Sequence, residues 1–203
     1  MTLHKEIAFE SEICEHLAGH GWLYSDGDAA QYDRARALLP PDLIAWVKAT
    51  QPQAWDALTK NHGAAAESVL PDRIRKQIDD RGTLDVMRHG VEMIGLRRPL
   101  IRAQFKPAMG MNPDIVARYA ANRPRVVRQL RYSRHNENCL DLALFLNGLP
   151  VATVELKSDF TQSVGDAIDQ YRFDRDPRPK GHRPQPDLRP ARQAGRRRSR
   201  RRP

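Results

Sequence analysis

The chain of 203 residues is long enough for one domain with a tail, and its 34 Lys and Arg against 25 Asp and Glu give a formal charge of +9. That charge is unevenly placed: the last 26 residues, from Arg178, hold ten Arg, one Lys and one Asp, a charge of +10, so the body is nearly neutral at −1. No run is long and apolar enough for a membrane span. No leader-type segment opens the chain, where His4, Lys5, Glu6 and Glu10 stand. Two cysteines, Cys14 and Cys139, are too few for a disulfide scaffold, so a reduced, cytoplasmic protein is expected.

A first helix is expected over about residues 4–18, with Thr2 as cap and Gly19 and Gly21 at its end. Phe9, Ile13 and Leu17 recur every four residues and form its expected buried stripe, with Glu6, Glu10, Glu12 and Glu15 around the rest. Cys14, His16 and His20 do not match a structural zinc pattern, because no second ligand pair follows. Residues 35–80 read as a helical insertion of short pieces, broken at Pro71, with Trp46 and Trp55 as core anchors. Residues 91–94 and 99–105 are candidate strands. Asn112-Pro113 starts a helix to about residue 121, with Ile115, Val116 and Tyr119 inward and Asn122 as a left-handed cap. Residues 125–132 read as a further strand.

The most informative stretch is residues 141–157. Asp141 opens an apolar strand that reaches Asn147-Gly148, and a second apolar strand ends in Glu155-Leu156-Lys157. Apolar strands joined by Asn-Gly are a strong hairpin signal. A two-residue turn would set Asp141 opposite Val154. A three-residue loop, Asn147-Gly148-Leu149, sets it opposite Glu155 and is the register expected here. Two neighbouring carboxylates repel unless a cation lies between them, and Mg²⁺ suits such oxygen ligands. With Lys157 beside them, the chemistry implied is metal-assisted phosphodiester hydrolysis. Glu-x-Lys alone would more often be a solvated strand end with a salt bridge. The Asp at the mouth of the same hairpin shifts the reading toward function.

An Asp, a strand-turn-strand and Glu-x-Lys resemble the PD-(D/E)xK nuclease superfamily. The wider context, Arg125-Val126-Val127, Gln129-Leu130-Arg131-Tyr132, Leu140-Asp141-Leu142, Asn147-Gly148-Leu149-Pro150 and Val154-Glu155-Leu156-Lys157, is similar to the N-terminal nuclease domain of the R subunit of type I restriction enzymes. The resemblance spans about residues 5–180. It implies Mg²⁺ held by Asp141, Glu155 and the Leu156 carbonyl, with Glu10 as a further acid from the first helix and Lys157 orienting the attacking water. An ordinary solvated helix acid is the other reading of Glu10. The family carries Gln-x-x-x-Tyr on the helix after Glu-x-Lys, which is expected here at about 161–173. Gln170 matches its Gln, but no Tyr lies four residues on, and Tyr171 stands as substitute or core residue. The implied substrate is double-stranded DNA and the implied partners are methyltransferase and specificity subunits. ATP serves translocase domains in the family, yet no Gly-x-x-x-x-Gly-Lys-Ser/Thr loop occurs in this sequence.

The expected architecture is therefore α/β: residues 1–177 as a restriction-endonuclease-like domain, with a mixed central sheet of four or five strands flanked by helices, and residues 178–203 as a disordered Arg/Pro-rich tail. The abrupt change of composition near residue 178 is also what a frameshifted, truncated R subunit would show. The rival function is non-enzymatic: an inactive remnant, or a fragment that binds nucleic acid through its Arg tail.

Overall fold

The computed structural model describes residues 2–93, 95–96, 100–156 and 164–169. Helix α1 (Thr2–Gly19) is followed by a 3₁₀ turn (Asp28–Gln31). Next come α2 (Pro40–Thr50), α3 (Pro52–His62), α4 (Ala66–Arg81), α5 (Thr83–His89) and α6 (Pro113–Ala120). Strands β1 (Pro124–Arg131), β2 (Cys139–Leu146) and β3 (Leu149–Val154) then form one antiparallel sheet in sequence order, and α7 (Val164–Asp169) closes the described chain. The α/β class is as expected.

Among the described residues the sheet has three strands rather than four or five. Val91 and Leu100 form only an isolated bridge, and Ala103 donates to the Met87 carbonyl instead of extending a ladder. Among the described residues the one parallel pairing is also a single bridge, Leu23 with Arg125, on the edge of β1 away from β2.

Pro40 and Pro52 start α2 and α3, where a missing N–H costs nothing. Pro71 does not break the chain as expected. It lies inside α4, buried with Leu70 and Ile74, and that packing offsets the lost helical hydrogen bond. Asn112 caps α6 through its side-chain oxygen, which accepts from the N–H groups of Asp114 and Ile115. The apolar face of α6 is not inward: none of its residues is buried, and Val116 and Tyr119 are exposed. Nor is Asn122 a left-handed cap. Its side chain instead donates to the Gln104 carbonyl and accepts from Asn147.

The core has three parts. Leu43, Trp46, Val47, Leu58, Leu70, Ile74 and Val86 join α2–α5, with Leu149 of β3 entering from the sheet. Leu39, the residue before α2, covers one face of the sheet with Val127, Leu130, Leu140, Ala143 and Phe145. Cys14 of α1 covers the other face with Val126 and Leu142. Contrary to the stripe expected for α1, Phe9 is exposed and Glu10 is buried with Cys14, so the helix is rolled to bring an acid onto the sheet. The described residues include no helix long and apolar enough to cross a membrane.

Candidate active site

The hairpin turn has two residues, Asn147 and Gly148, at φ of 54° and 80°, with Leu146 facing Leu149. Positive φ at both positions is the turn geometry that matches strand twist, and Asn-Gly is the pair that adopts it most readily. The three-residue loop expected from the sequence is therefore not formed. The expected register nevertheless returns by another route. Phe145 faces Pro150 but Leu144 faces Ala152, so Val151 is an extra residue, a bulge in β3. Beyond it Leu142 faces Val154, and one step further Asp141 comes level with Glu155. The backbone N–H of Leu156 donates to Asp141 Oδ2 at 2.7 Å, tying the two strand ends together.

Side-chain alternation breaks at this level on both β1 and β2. Leu140 and Ala143 share the Leu39 face although they are three residues apart, while Leu142 lies on the α1 face. On β1, Val126 packs on the α1 face and Val127 and Leu130 on the other. Arg128 and Gln129, although consecutive, both reach Glu10 of α1. The cause on β1 is Gln129, whose φ is +50° and which drops out of the ladder between the pairs Arg128–Leu142 and Leu130–Leu140. A left-handed conformation is uncommon for Gln, and such strain persists where surrounding contacts impose it. Gln129 is the β1 residue level with Asp141.

Gln129 Nε2 donates to Glu10 Oε1 at 2.6 Å, and the Cys139 thiol donates to Gln129 Oε1 at 3.5 Å. Arg128 Nη2 lies 3.3 Å from Glu10 Oε2, and its Nη1 donates to Ser11 Oγ at 3.1 Å. Glu10 is 3% exposed, and its Oε2 makes no hydrogen bond. Burial pushes the Glu10 carboxyl above its usual range; Gln129 and Arg128 pull the other way, and the nearby Asp141 carboxylate adds to the rise. Glu155 is half-buried, with Oε1 shielded from solvent. Among the described residues no three His, Cys, Asp or Glu side chains form a ready-made metal cage.

The chain thus buries Glu10 against the sheet, within reach of the Asp141 charge, and ties Asp141 to the Leu156 backbone N–H. Lys157, Gln170 and Tyr171 lie outside the described residues, as does the segment 178–203. The sequence reading missed Gln129 and Arg128. The position of Gln129 opposite Asp141 could have raised it, but nothing local announces a left-handed Gln. Of the zinc candidates, Cys14 is buried beneath α1, while His20 bonds the His16 carbonyl on the exposed side.

A family model described as the type I restriction enzyme R protein N terminus matches residues 5–188. The chain belongs to this family. The match to the R protein N terminus covers α1 with Glu10, the whole hairpin with Asp141 and Glu155, and the positions of Lys157 and Gln170. It also runs past Arg178, into the segment expected to be a tail. No curated protein and no solved structure matches the chain significantly.

Proposed function

We propose that the chain is a Mg²⁺-dependent endonuclease module that cuts double-stranded DNA as the restriction part of a type I R protein. The observation that carries this reading is the Asp141 carboxylate, held at the open end of the hairpin by the Leu156 N–H at 2.7 Å, level with Glu155. The strand ends are tied together where the hairpin leads into Glu155-Leu156-Lys157, and Glu10 of α1 is buried on the same sheet, where the charge of Asp141 acts on it. Glu10 Oε2 makes no hydrogen bond and has only the Arg128 guanidinium at 3.3 Å, while burial and the Asp141 charge disfavour its ionised form, an environment that a hard divalent cation would relieve. Mg²⁺ needs only one or two carboxylates and keeps several waters, so a complete protein cage is not required.

In this reading Asp141, Glu155, Glu10 and the Leu156 carbonyl hold the ion. The ion supplies charge stabilisation at the phosphoryl group and a water of lowered pKa. The Leu156 N–H fixes the rotation of the Asp141 carboxylate. Gln129 orients Glu10, and the Arg128 guanidinium limits the repulsion between the acids. Lys157 positions the attacking water, and Gln170 supports the site or the DNA. Target choice would lie with a specificity subunit beside the methyltransferase. ATP would act through translocase sequences of the family, since the 203-residue sequence holds no Gly-x-x-x-x-Gly-Lys-Ser/Thr motif.

Incubating supercoiled plasmid with the full chain and Mg²⁺ tests the reading. Nicking is expected, and it should fall at least about a hundredfold in Asp141→Ala and in Lys157→Ala, in line with loss of a transition-state stabiliser. DNA binding without cleavage at any Mg²⁺ or Mn²⁺ concentration, abolished by deleting residues 178–203, would instead make the chain a nucleic-acid-binding fragment.

A further inference from the structure

The helical part of the molecule holds an open cleft of about 790 Å³ between the C-terminal ends of α2 and α5, the segment 102–105 and α6. Three arginines, Arg88, Arg102 and Arg118, line it together with His89, and no Asp or Glu lines it among the described residues. Neither Arg88 nor Arg102 has an ion-pair or hydrogen-bond partner in the described structure, whereas most other arginines in the α2–α5 region do, Arg36, Arg75 and Arg81 among them. Arg118 reaches only a backbone carbonyl, that of Asp114. The acid nearest the cleft in sequence, Asp85, pairs with His89 but is matched by Arg81 on its other side, so it does not neutralise the guanidiniums.

Trp46 also lines the cleft; it is 3% exposed and its indole N–H is buried, which makes that N–H resonance a reporter of the cleft wall. Two unmatched guanidiniums and a third that reaches only a backbone carbonyl therefore line one concavity. Each lacks the same thing, an anionic oxygen acceptor. Arginine forks suit phosphate geometry in particular.

From this juxtaposition we infer that the cleft binds a phosphate-bearing anion, the backbone of a DNA duplex, away from the cutting site. The phosphate chemistry stands on the cleft alone; the choice of DNA as its source rests on the nuclease reading. The cleft adjoins the C-terminal end of α2, whereas the hairpin turn packs against the N-terminal end of that helix. Asp141 lies at the far end of the hairpin from its turn. A duplex held at both places would be gripped at two separated points of the domain.

The test uses the full chain labelled with ¹⁵N, with the Trp46 indole N–H resonance assigned by Trp46→Phe. Inorganic phosphate should shift that resonance saturably, and Arg88→Glu with Arg102→Glu should abolish the shift. A fluorescent duplex, titrated in EDTA so that nothing is cut, should bind the same double variant at least about tenfold more weakly, with a log–log salt slope smaller by roughly two. Lys60→Glu with Lys76→Glu changes the charge equally outside the cleft lining and should cost less than about threefold. No saturable shift with phosphate overturns the proposal. A saturable shift combined with equal DNA losses in the two double variants keeps the phosphate site and assigns it to a free phosphate ester. The phosphate shift is read without DNA or Mg²⁺, so failure of the cleft registers there and failure of the nuclease reading registers in the plasmid assay.

Discussion

At the turn end of the hairpin, Asp28 and Asp42 are 2% and 3% exposed; at the open end, Glu10 is equally buried at 3%. The turn-end acids are fully matched. Arg125 spans both, 2.5 Å from Asp28 Oδ2 and 2.5 Å from Asp42 Oδ2, and Arg123 adds a second contact to Asp42 at 3.0 Å. Burial works against ionisation of Asp42, but the two guanidiniums outweigh it and hold the carboxyl below its ordinary range. Glu10 has one guanidinium at 3.3 Å and an acid nearby, and burial wins: its carboxyl is pushed up. The same hairpin therefore carries one polar cluster whose charges are matched and one whose charges are not. The matched one holds the fold, and the other is the place where the proposed chemistry would act.

The comparison breaks most visibly at Arg125. Arg125→Ala leaves two buried carboxylates without their shared partner and should cost about 3–5 kcal/mol, read as a lower urea midpoint or Tm. A loss below about 1 kcal/mol, the range of exposed ion pairs, would show that solvent reaches this cluster and that the two ends do not differ in kind.

Gly148 ties the same end to the helices. The Leu39 N–H donates to its carbonyl at 2.9 Å. A Cβ there would stand 2.5 Å from the Leu39 carbonyl oxygen and 2.9 Å from Leu43 N and Cβ, at a φ of +80°. Gly148→Ala combines left-handed strain with overpacking and should cost about 2–4 kcal/mol by the same measurement. Asn147 is held equally firmly, accepting from the Arg123 N–H at 2.7 Å.

A smaller effect appears on the acid side of the stability profile. The Asp42 carboxyl is lowered in the folded state, so its contribution is fully present above the unfolded value of about 4 and is lost as pH falls through the folded value. Stability should fall below about pH 4, and Asp42→Asn should flatten that limb while lowering stability at neutral pH. Urea midpoints measured between pH 2 and about pH 7 for both chains check the sign. An unchanged acid limb in Asp42→Asn would place the titrating group elsewhere.

The local features of the hairpin were legible from the residues. Asn-Gly dictates the turn, and apolar strands ending in Asp141 and Glu155 mark the open end, because both signals need only near neighbours. The register was reached for the wrong reason. A bulge at Val151 does what a longer loop was expected to do, and no residue type at that position compels a bulge. The roll of α1 was illegible because its cause is remote: Gln129, which holds Glu10, is 119 residues away in sequence. Periodicity ranked Phe9 above Glu10 for burial, and the fold reverses that order. The Asp28–Arg125–Asp42 cluster was missed for the same reason, since each residue looks like ordinary surface charge in its own segment.

The smallest effect on stability should be the most informative about function. Glu10→Gln removes a charge that burial disfavours but keeps the shape of the side chain, and its Oε1 can still accept from Gln129 Nε2. A raised carboxyl means that the ionised form weakens the fold at neutral pH, so the substitution should leave stability within about 1 kcal/mol of the parent or slightly above it. Arg128 loses its charged partner but keeps Ser11 Oγ and is only partly buried, which limits the penalty. Binding of Mn²⁺ by calorimetry should meanwhile weaken at least about tenfold, the size expected for a lost or misoriented ligand. A purely structural Glu10 would give the reverse result, with clear destabilisation and unchanged metal affinity. The two cannot be confused, because the stability of the turn end, governed by Arg125, serves as an internal reference that Glu10→Gln does not touch.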